Sequence, residues 1–297
     1  MNTQSTSPAA PRPSWLLLGS EPVRAATEYL SHRLRRTLTK AQKPPEGDGH
    51  PVIVFPGLAT DGISVNPLVE HCRALGHVAM DWGRGFNTGP GLDLDSWLED
   101  LAEELRKTLR EKLRNSLGNS SGNSSGNSMR DTLRDTLRDT QLGAGPGNRA
   151  FAAPTLIGWS LGGLYARELA KLPGMQVRQV ITIGTPFNGS HEQTHAGWLY
   201  ERLNGSRAQA SPAFQQRLRC PPPVPTTSIY SRSDGIVAWQ ACRHEIQGAL
   251  VQDIEVRGSH LGLGWNPAVL RLVADRLAQP AQGWQRHGSS VEVQVPR

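Results

Sequence analysis

Apolar runs that alternate with amphipathic segments are the feature that most constrains how this 297-residue chain can fold. Six runs rich in β-branched residues are predicted strands, and they cover residues 52–55, 77–82, 155–158, 177–184, 226–231 and 251–256. Helices are predicted between them, including one that starts at Asn66–Pro67, one over 161–172 and one that runs from Asn266–Pro267 to about Leu277. Strands joined through helices form parallel sheets that are covered on both faces. The sequence therefore predicts an α/β fold with a mostly parallel sheet of about six strands.

Residues 105–140 form nine repeats of four residues. A period of four departs from the helical 3.6, so an apolar stripe drifts away from any single buried face. Residues 118–128 contain only Gly, Asn and Ser, which predicts a flexible linker, whereas Met129, Leu133 and Leu137 could form a short helix. We expect a solvated low-complexity insertion at 105–148; a partner-binding arm is the alternative. The predicted organisation is an N-terminal helical extension over 1–50 and an α/β domain over 51–297.

The N-terminal extension has apolar residues at helical spacing: Val23, Ala26, Tyr29, Leu30 and Leu34. We expect an amphipathic helix that packs this apolar face on the body of the protein. The alternative is a helix that lies on a membrane surface, since its end is basic and residues 15–18 are apolar.

The net charge of +6 raises the question of a nucleic-acid partner. Residues 1–50 carry 7 basic against 4 acidic residues and residues 105–140 carry 8 against 4, whereas the remainder carries 17 against 18. The basic excess thus lies outside the predicted domain body, which argues against nucleic acid. Three cysteines without a metal-ligand spacing predict no disulfide framework, no metal and a reducing, cytoplasmic compartment. No cofactor motif is visible, the longest N-terminal apolar run is too short to span a membrane, and the oligomeric state is left open.

Three segments match the pattern Gly-x-Ser-x-Gly, and only one has the context that a catalytic serine needs. The matches at 118–122 and 122–126 are products of the repeat. The third, at 158–162, follows an apolar strand and opens a helix, as a nucleophile turn requires. This context predicts Ser160 as a nucleophile, with the Leu161 N–H as one donor to an oxyanion.

A serine nucleophile needs a histidine base held by a carboxylate. His260 follows the sixth predicted strand in a Gly-flanked loop, whereas His244 falls in a predicted surface helix and His287 in a polar tail. Asp234 ends the fifth strand and is the predicted acid. The loop after the first strand predicts Leu58 N–H as the second oxyanion donor.

These segments together resemble the α/β-hydrolase superfamily and, more narrowly, bacterial lipase/esterase-like serine hydrolases. The resemblance covers about residues 51–279 and rests on the ordered motifs FPGLATDG, GWSLGGLYAREL, VITIGTPFNGS, SIYSRSDGIVAW and EVRGSHLGLGWNP. It implies Ser160, Asp234 and His260 as the triad and Leu58 and Leu161 as oxyanion donors. Two departures are a Phe-Pro-Gly where many lipases carry His-Gly, and a helical segment in place of the antiparallel strands that usually come first.

The segment 188–224 interrupts the alternation and is a predicted helical cap. We expect its apolar residues, with Trp159, Trp82 and Trp265, to line an acyl pocket. The predicted function is hydrolysis of a small-molecule ester or lipid through an acyl-enzyme. The alternatives are an acyltransferase with the same triad and a non-catalytic, membrane-associated binding protein.

Overall fold

The computed structural model describes residues 12–38, 47–91, 93–118, 153–188, 195, 212–245, 248–280 and 282–288. The strands are β1 (Pro51–Phe55), β2 (Val78–Asp81), β3 (Thr155–Trp159), β4 (Gln179–Ile183), β5 (Thr226–Ser231) and β6 (Val251–Val256). The α-helices are α1 (Trp15–Leu38), α2 (Gly62–Ala74), α3 (Leu94–Gly118), α4 (Leu161–Leu169), α5 (Pro212–Arg219) and α6 (Pro267–Leu277). Two 3-10 helices follow β5 and β6 and span Trp239–Cys242 and Leu261–Trp265.

The six strands form one sheet in the order β2-β1-β3-β4-β5-β6, and every neighbouring pair is parallel. This confirms the predicted fold class. The chain passes from β1 to β2 on one side and then returns to β3 on the other side of β1. The strand order therefore reverses between β1 and β3, and the crevice beyond the carboxyl ends of these strands is where such sheets bind ligands.

Successive side chains of a strand point to opposite faces of a sheet, and both faces of this sheet are covered. In β1, Val52 and Val54 belong to the core shared with α2 and α6, whereas Ile53 and Phe55 belong to the core shared with α3 and α4. All four side chains are fully buried. The continuous apolar runs that predicted the strands are thus explained by burial on two sides.

The start of α2 differs from the prediction. The helix begins at Gly62, four residues before Asn66, because the Asp61 side chain accepts a hydrogen bond from the Ile63 N–H and caps the first turn. Pro67 consequently lies inside the helix. The predicted start of α6 is correct, since Asn266 caps that helix by accepting from the Ala268 N–H.

Helix α3 contains the first repeats of the four-residue pattern. Its apolar residues Leu98, Leu101, Leu105 and Leu109 are buried against the sheet. The residues of the repeat beyond Gly118, with the predicted linker and the predicted short helix around Leu133, lie outside the described residues.

Helix α1 packs on the body by a face other than the predicted one. Its buried positions are Glu21, Ala25 and His32, whereas the apolar residues Val23 and Leu30 are 68% and 61% exposed. The expected packing of the apolar face is therefore wrong, and a polar face takes its place because the underlying loops present backbone N–H groups. The membrane-surface alternative stays a prediction. Within the described ranges, no helix combines the length and apolarity that a membrane crossing would need.

Most of the predicted cap at 188–224 lies outside the described residues, which include His195 and α5. Helix α5 packs against α4: the Arg217 guanidinium lies 2.6 Å from a Glu168 carboxylate oxygen, and Lys171 donates to the Arg217 carbonyl. These contacts are at the C-terminal end of α4, which points away from Ser160. The cap over the site stays a prediction.

Candidate active site

Ser160 lies in the turn between β3 and α4 in a strained backbone conformation. Its φ of 54° and ψ of −123° are unusual for a non-glycine residue and cost about 1–3 kcal/mol. A hydrogen bond from the Ser160 N–H to the Ile183 carbonyl, 2.8 Å long, helps to hold the turn. A serine in a strained turn between the carboxyl end of a parallel strand and the start of a helix has the arrangement that a nucleophile elbow requires. The strand–turn–helix context that the sequence predicts around Ser160 is therefore present, and the role of Ser160 as a nucleophile stays a prediction.

Glycine is required at position 162 for a steric reason. A Cβ atom there would lie 2.4 Å from the Phe55 carbonyl oxygen and 2.6 Å from that of Pro56. The missing side chain allows the start of α4 to approach the loop that follows β1. An added Cβ at Gly57, in that same loop, would lie 3.2 Å from the Ser160 Cβ. The nucleophile turn and the loop that carries Leu58 are consequently neighbours in space.

The structure brings His260 and Asp234 to Ser160. The His260 Nε2 atom lies 3.0 Å from the Ser160 Oγ, and Nδ1 lies 2.6 Å from an Asp234 carboxylate oxygen. The second Asp234 oxygen accepts hydrogen bonds from the backbone N–H groups of Ile236 and Val237. His260 and Asp234 are each 3% exposed. In the neutral ring, Nδ1–H donates to Asp234, so Nε2 is left to accept the proton of the serine hydroxyl.

Opposing influences act on the pKa of His260. Burial, the largest of them, disfavours the imidazolium form and lowers the pKa. The negative charge of Asp234, its hydrogen bond to the ring and the charge of Glu21 act in the other direction and outweigh burial. The pKa of His260 is raised above its ordinary value as a result. The ring thus remains a competent base that gains a proton readily when the serine loses one.

A second histidine–aspartate pair lies elsewhere in the core. The His244 Nδ1 atom is 2.6 Å from an Asp253 carboxylate oxygen, and His244 is buried, so its expected place in a surface helix is wrong. Its Nε2 atom lies 2.7 Å from the Arg167 guanidinium, which can only donate. The nitrogen that a catalytic base would use is therefore occupied, and the neutral His244 ring donates from Nδ1 to Asp253 in a structural hydrogen bond.

The two predicted oxyanion donors come from different parts of the chain: Leu161 directly follows Ser160, and Leu58 directly follows Gly57, which lies beside Ser160 in space. Leu161 is the first residue of α4, and Leu58 follows Gly57 in the loop after β1. Within the part of the chain that the structure describes, neither the Leu58 N–H nor the Leu161 N–H has a hydrogen-bond acceptor. Unpaired N–H groups beside a nucleophile suit a developing negative charge.

The loop that carries Leu58 is held by Asn87, a residue for which the sequence predicts no role. Asn87 is fully buried and donates from Nδ2 to the Pro56 carbonyl. Its own carbonyl accepts from the Ala59 N–H, and its N–H donates to the Thr60 carbonyl. Asn87 lies in an irregular segment after β2, and no local pattern marks it; only the fold brings it to this loop.

The three tryptophans that were expected to line an acyl pocket have well-defined packing contacts. Trp82 is buried against Trp97 and Tyr165 in the core between the sheet, α3 and α4. Trp159 donates from its indole N–H to the His260 carbonyl. Trp265 packs edge-on to Tyr29 of α1. These contacts give Trp82 a place in the core and Trp159 and Trp265 places around the histidine loop; contact with an acyl chain stays a prediction.

Asp48, His50 and His77 place three potential metal ligands within 4.8 Å of one another. The His50 Nδ1 atom already lies against the Asp48 carboxylate, and Nε2 pairs with the Thr155 hydroxyl. The Arg178 guanidinium lies 2.7 Å from the other Asp48 oxygen, so a fixed positive charge opposes a cation there. The cluster adjoins the amino end of β1, opposite the edge with Ser160. We interpret it as an ion pair between Arg178 and Asp48 whose carboxylate also accepts a hydrogen bond from the buried His50 ring.

No family model matches the chain, and no curated protein matches it. Similar solved structures include lipase B of Aspergillus fumigatus, at 16% identity and TM-score 0.47, covering 79% of this chain and 54% of the lipase. The mouse α/β-hydrolase domain-containing protein 10 is 19% identical with TM-score 0.40, covering 80% and 94% of the two chains. An esterase of Pyrococcus furiosus is 13% identical with TM-score 0.42, covering 76% and 81%. This chain thus spans about half of the fungal lipase. Because these TM-scores are below 0.5, the similarities support no conclusion about the chemistry of the site, which we infer from the distances and hydrogen bonds between its residues.

Proposed function

We propose that this chain is a serine hydrolase of the α/β-hydrolase superfamily that cleaves carboxylic esters of small molecules or lipids. The observation that carries the proposal is the contact of one imidazole ring with two groups. His260 lies 3.0 Å from the Ser160 hydroxyl through Nε2 and 2.6 Å from the Asp234 carboxylate through Nδ1. This is the hydrogen-bond chain that makes a serine hydroxyl nucleophilic.

In the first half-reaction, His260 Nε2 takes the hydroxyl proton while Ser160 Oγ forms a bond to the ester carbonyl carbon. The carbonyl oxygen becomes negative, and the N–H groups of Leu58 and Leu161 are the donors placed to bind it. The carbon–oxygen bond to the alcohol part then breaks, and the leaving oxygen takes the proton from the imidazolium. The products are an alcohol and an acyl-enzyme on Ser160.

In the second half-reaction, water replaces the alcohol. His260 takes one water proton while the water oxygen attacks the acyl carbon, and the bond to Ser160 Oγ breaks as Oγ regains that proton from the imidazolium. The carboxylic acid leaves. Asp234 remains ionised throughout; it holds the Nδ1–H tautomer and stabilises the transient positive charge on the ring.

A fluorophosphonate probe tests the proposal without knowledge of the substrate. We expect the folded wild-type protein to react through Ser160 Oγ, with loss of fluoride, and mass spectrometry to find the label on the peptide that contains Ser160. Hydrolysis of p-nitrophenyl esters should stop in step with labelling. Labelling of a different serine, or a folded protein that neither labels nor hydrolyses esters, contradicts the proposal.

The pH profile of kcat/KM should show an acid limb with an apparent pKa above 6.5, the ordinary value for histidine. Below its pKa the ring is an imidazolium and cannot take the serine proton, so the rate falls as the pH decreases. Because the net effect of Asp234 and Glu21 raises the pKa of His260, the loss begins at a higher pH than for an unperturbed histidine. Hydrolysis of the same ester without enzyme, measured at each pH, gives the baseline. An acid limb centred below 6.5 contradicts this expectation.

A further inference from the structure

Glu21 of α1 is a buried carboxylate whose contacts connect two loops of the candidate site. Its side chain is 2% exposed, and the residues that it contacts lie far away in the sequence. Its Oε1 atom accepts hydrogen bonds from the backbone N–H of Gly235, at 2.7 Å, and of His260, at 2.9 Å. Its Oε2 atom accepts from the Leu261 N–H at 3.1 Å. One carboxylate therefore holds the loop of the acid and the loop of the base at a fixed separation.

Three backbone donors and one cation compensate for the burial of this charge. The Arg24 guanidinium, one turn further along α1, lies 2.8 Å from Glu21 Oε1 and also donates to the Ser233 carbonyl. A buried carboxylate is costly unless such partners surround it. The two loops supply most of the donors, so the position of Glu21 depends on how the loops lie relative to each other. The relative position of the loops depends in turn on Glu21.

We propose that Glu21 is a positioning residue for catalysis, which sets the distance between Asp234 and His260 and adds a second negative charge beside the base. The inference rests on the proposed function. It gives Glu21, one residue of α1, a role in catalysis, whereas the sequence predicts only a packing or membrane role for this helix.

The charged groups that face His260 come from two directions. Asp234 reaches the ring from the loop after β5, and Glu21 lies on α1 against the backbone of His260, with Arg24 beside it. Glu28 lies about two turns further along the same face of α1. Its carboxylate accepts hydrogen bonds from the N–H and the hydroxyl of Ser259, the residue before His260. Among the residues that the structure describes, Glu28 thus anchors the same helix to the same loop through Ser259 and makes no hydrogen bond to the His260 ring or to the loop of Asp234.

The test is Glu21→Gln with Glu28→Gln as its matched control. Glutamine keeps the size of the side chain, but it removes the charge and turns an NH2 group toward a backbone donor. For Glu21→Gln we expect kcat to fall roughly tenfold with KM unchanged, because a displaced base is poorly aligned. We expect the acid limb of kcat/KM to move to lower pH, since a negative charge has been lost. For Glu28→Gln we expect a lower melting temperature and an unchanged acid limb.

Arg24→Gln is a second variant, for which we expect the acid limb to shift in the opposite direction. It leaves Glu21 in place without its cation, so the acid limb should move to higher pH. Titration of the His260 ring by NMR in all variants measures the same shifts without reference to activity. Shifts of opposite sign in Glu21→Gln and Arg24→Gln support the proposal. An unchanged His260 titration and kcat in both, with only a loss of stability, overturns it. If the wild-type protein neither labels nor hydrolyses esters while the two variants still show these NMR shifts, the proposed function is refuted and the effect of Glu21 on His260 stands.

Discussion

Replacement of Ser160 by alanine is expected to reduce kcat for p-nitrophenyl ester hydrolysis by about 10⁶-fold and to abolish fluorophosphonate labelling. The variant removes the only atom of the triad that bonds to the acyl group, and loss of the nucleophile costs about as much as loss of the whole triad. Ser160 Oγ lies 3.0 Å from His260 Nε2, so the variant removes one hydrogen bond. Thermal unfolding should therefore show a folded protein with a melting temperature close to that of the wild type.

The chain supplies its own matched controls for this variant. Ser120 and Ser124 occupy the central positions of the other two Gly-x-Ser-x-Gly matches. Ser120→Ala and Ser124→Ala should each retain wild-type hydrolysis and labelling, because neither serine follows a strand or opens a helix in the predicted pattern. A Ser160→Ala protein that retains activity while a repeat variant loses it would refute the assignment of the nucleophile.

Asp234→Asn is expected to lower kcat by about 10⁴-fold near neutral pH while the protein stays folded. One Asp234 oxygen accepts from the N–H groups of Ile236 and Val237, so the asparagine oxygen must stay there. The asparagine NH2 group then points at His260 Nδ1 and donates to it. That forces the proton onto Nε2, where it faces the Ser160 hydroxyl and prevents the ring from acting as a base.

Asp253→Asn is the control, because it changes the second histidine–aspartate pair in the same way. The Asp253 carboxylate accepts from His244 Nδ1 and from the His244 N–H, but this pair touches no reacting group. We expect a loss of about 1–3 kcal/mol in the free energy of unfolding and a kcat within about twofold of the wild type. Equal losses of kcat in Asp234→Asn and Asp253→Asn would show that the effect comes from general destabilisation. The triad assignment would then fail.

Local pattern was sufficient for much of the fold. The strands were predictable because residues such as Val52, Ile53 and Val54 form short, continuous β-branched runs, which are typical of strands in a sheet that is buried on both faces. The turn at Ser160 was predictable because glycine is needed at 162, where any Cβ would meet the Phe55 carbonyl. The triad candidates followed from chain order and from the strand ends that carry them.

Predictions failed where a side chain's partner lies far away in the sequence. His244 is in a segment that is polar enough for a surface helix, yet hydrogen bonds with Asp253 and Arg167 satisfy both ring nitrogens and allow the ring to be buried. Asn87 carries no helix or strand signal, and its role at the loop of Leu58 depends on the pairing of β1 with β2. The start of α2 was misplaced for a local reason, because the side chain that caps the helix is that of Asp61 and not that of Asn66.

The sequence by itself determined the α/β alternation and the strand–turn–helix context of Ser160, because both follow from short-range steric and hydrophobic rules. Only the tertiary structure decided what α1 does. Its apolar residues predicted an inward apolar face, yet Val23 is 68% exposed and Glu21 is 2% exposed. A buried carboxylate is stable only when donors surround it, and those donors are the backbone N–H groups of Gly235, His260 and Leu261. A periodic pattern reports the polarity of a helix face and cannot report the unpaired backbone groups that distant loops will present to it.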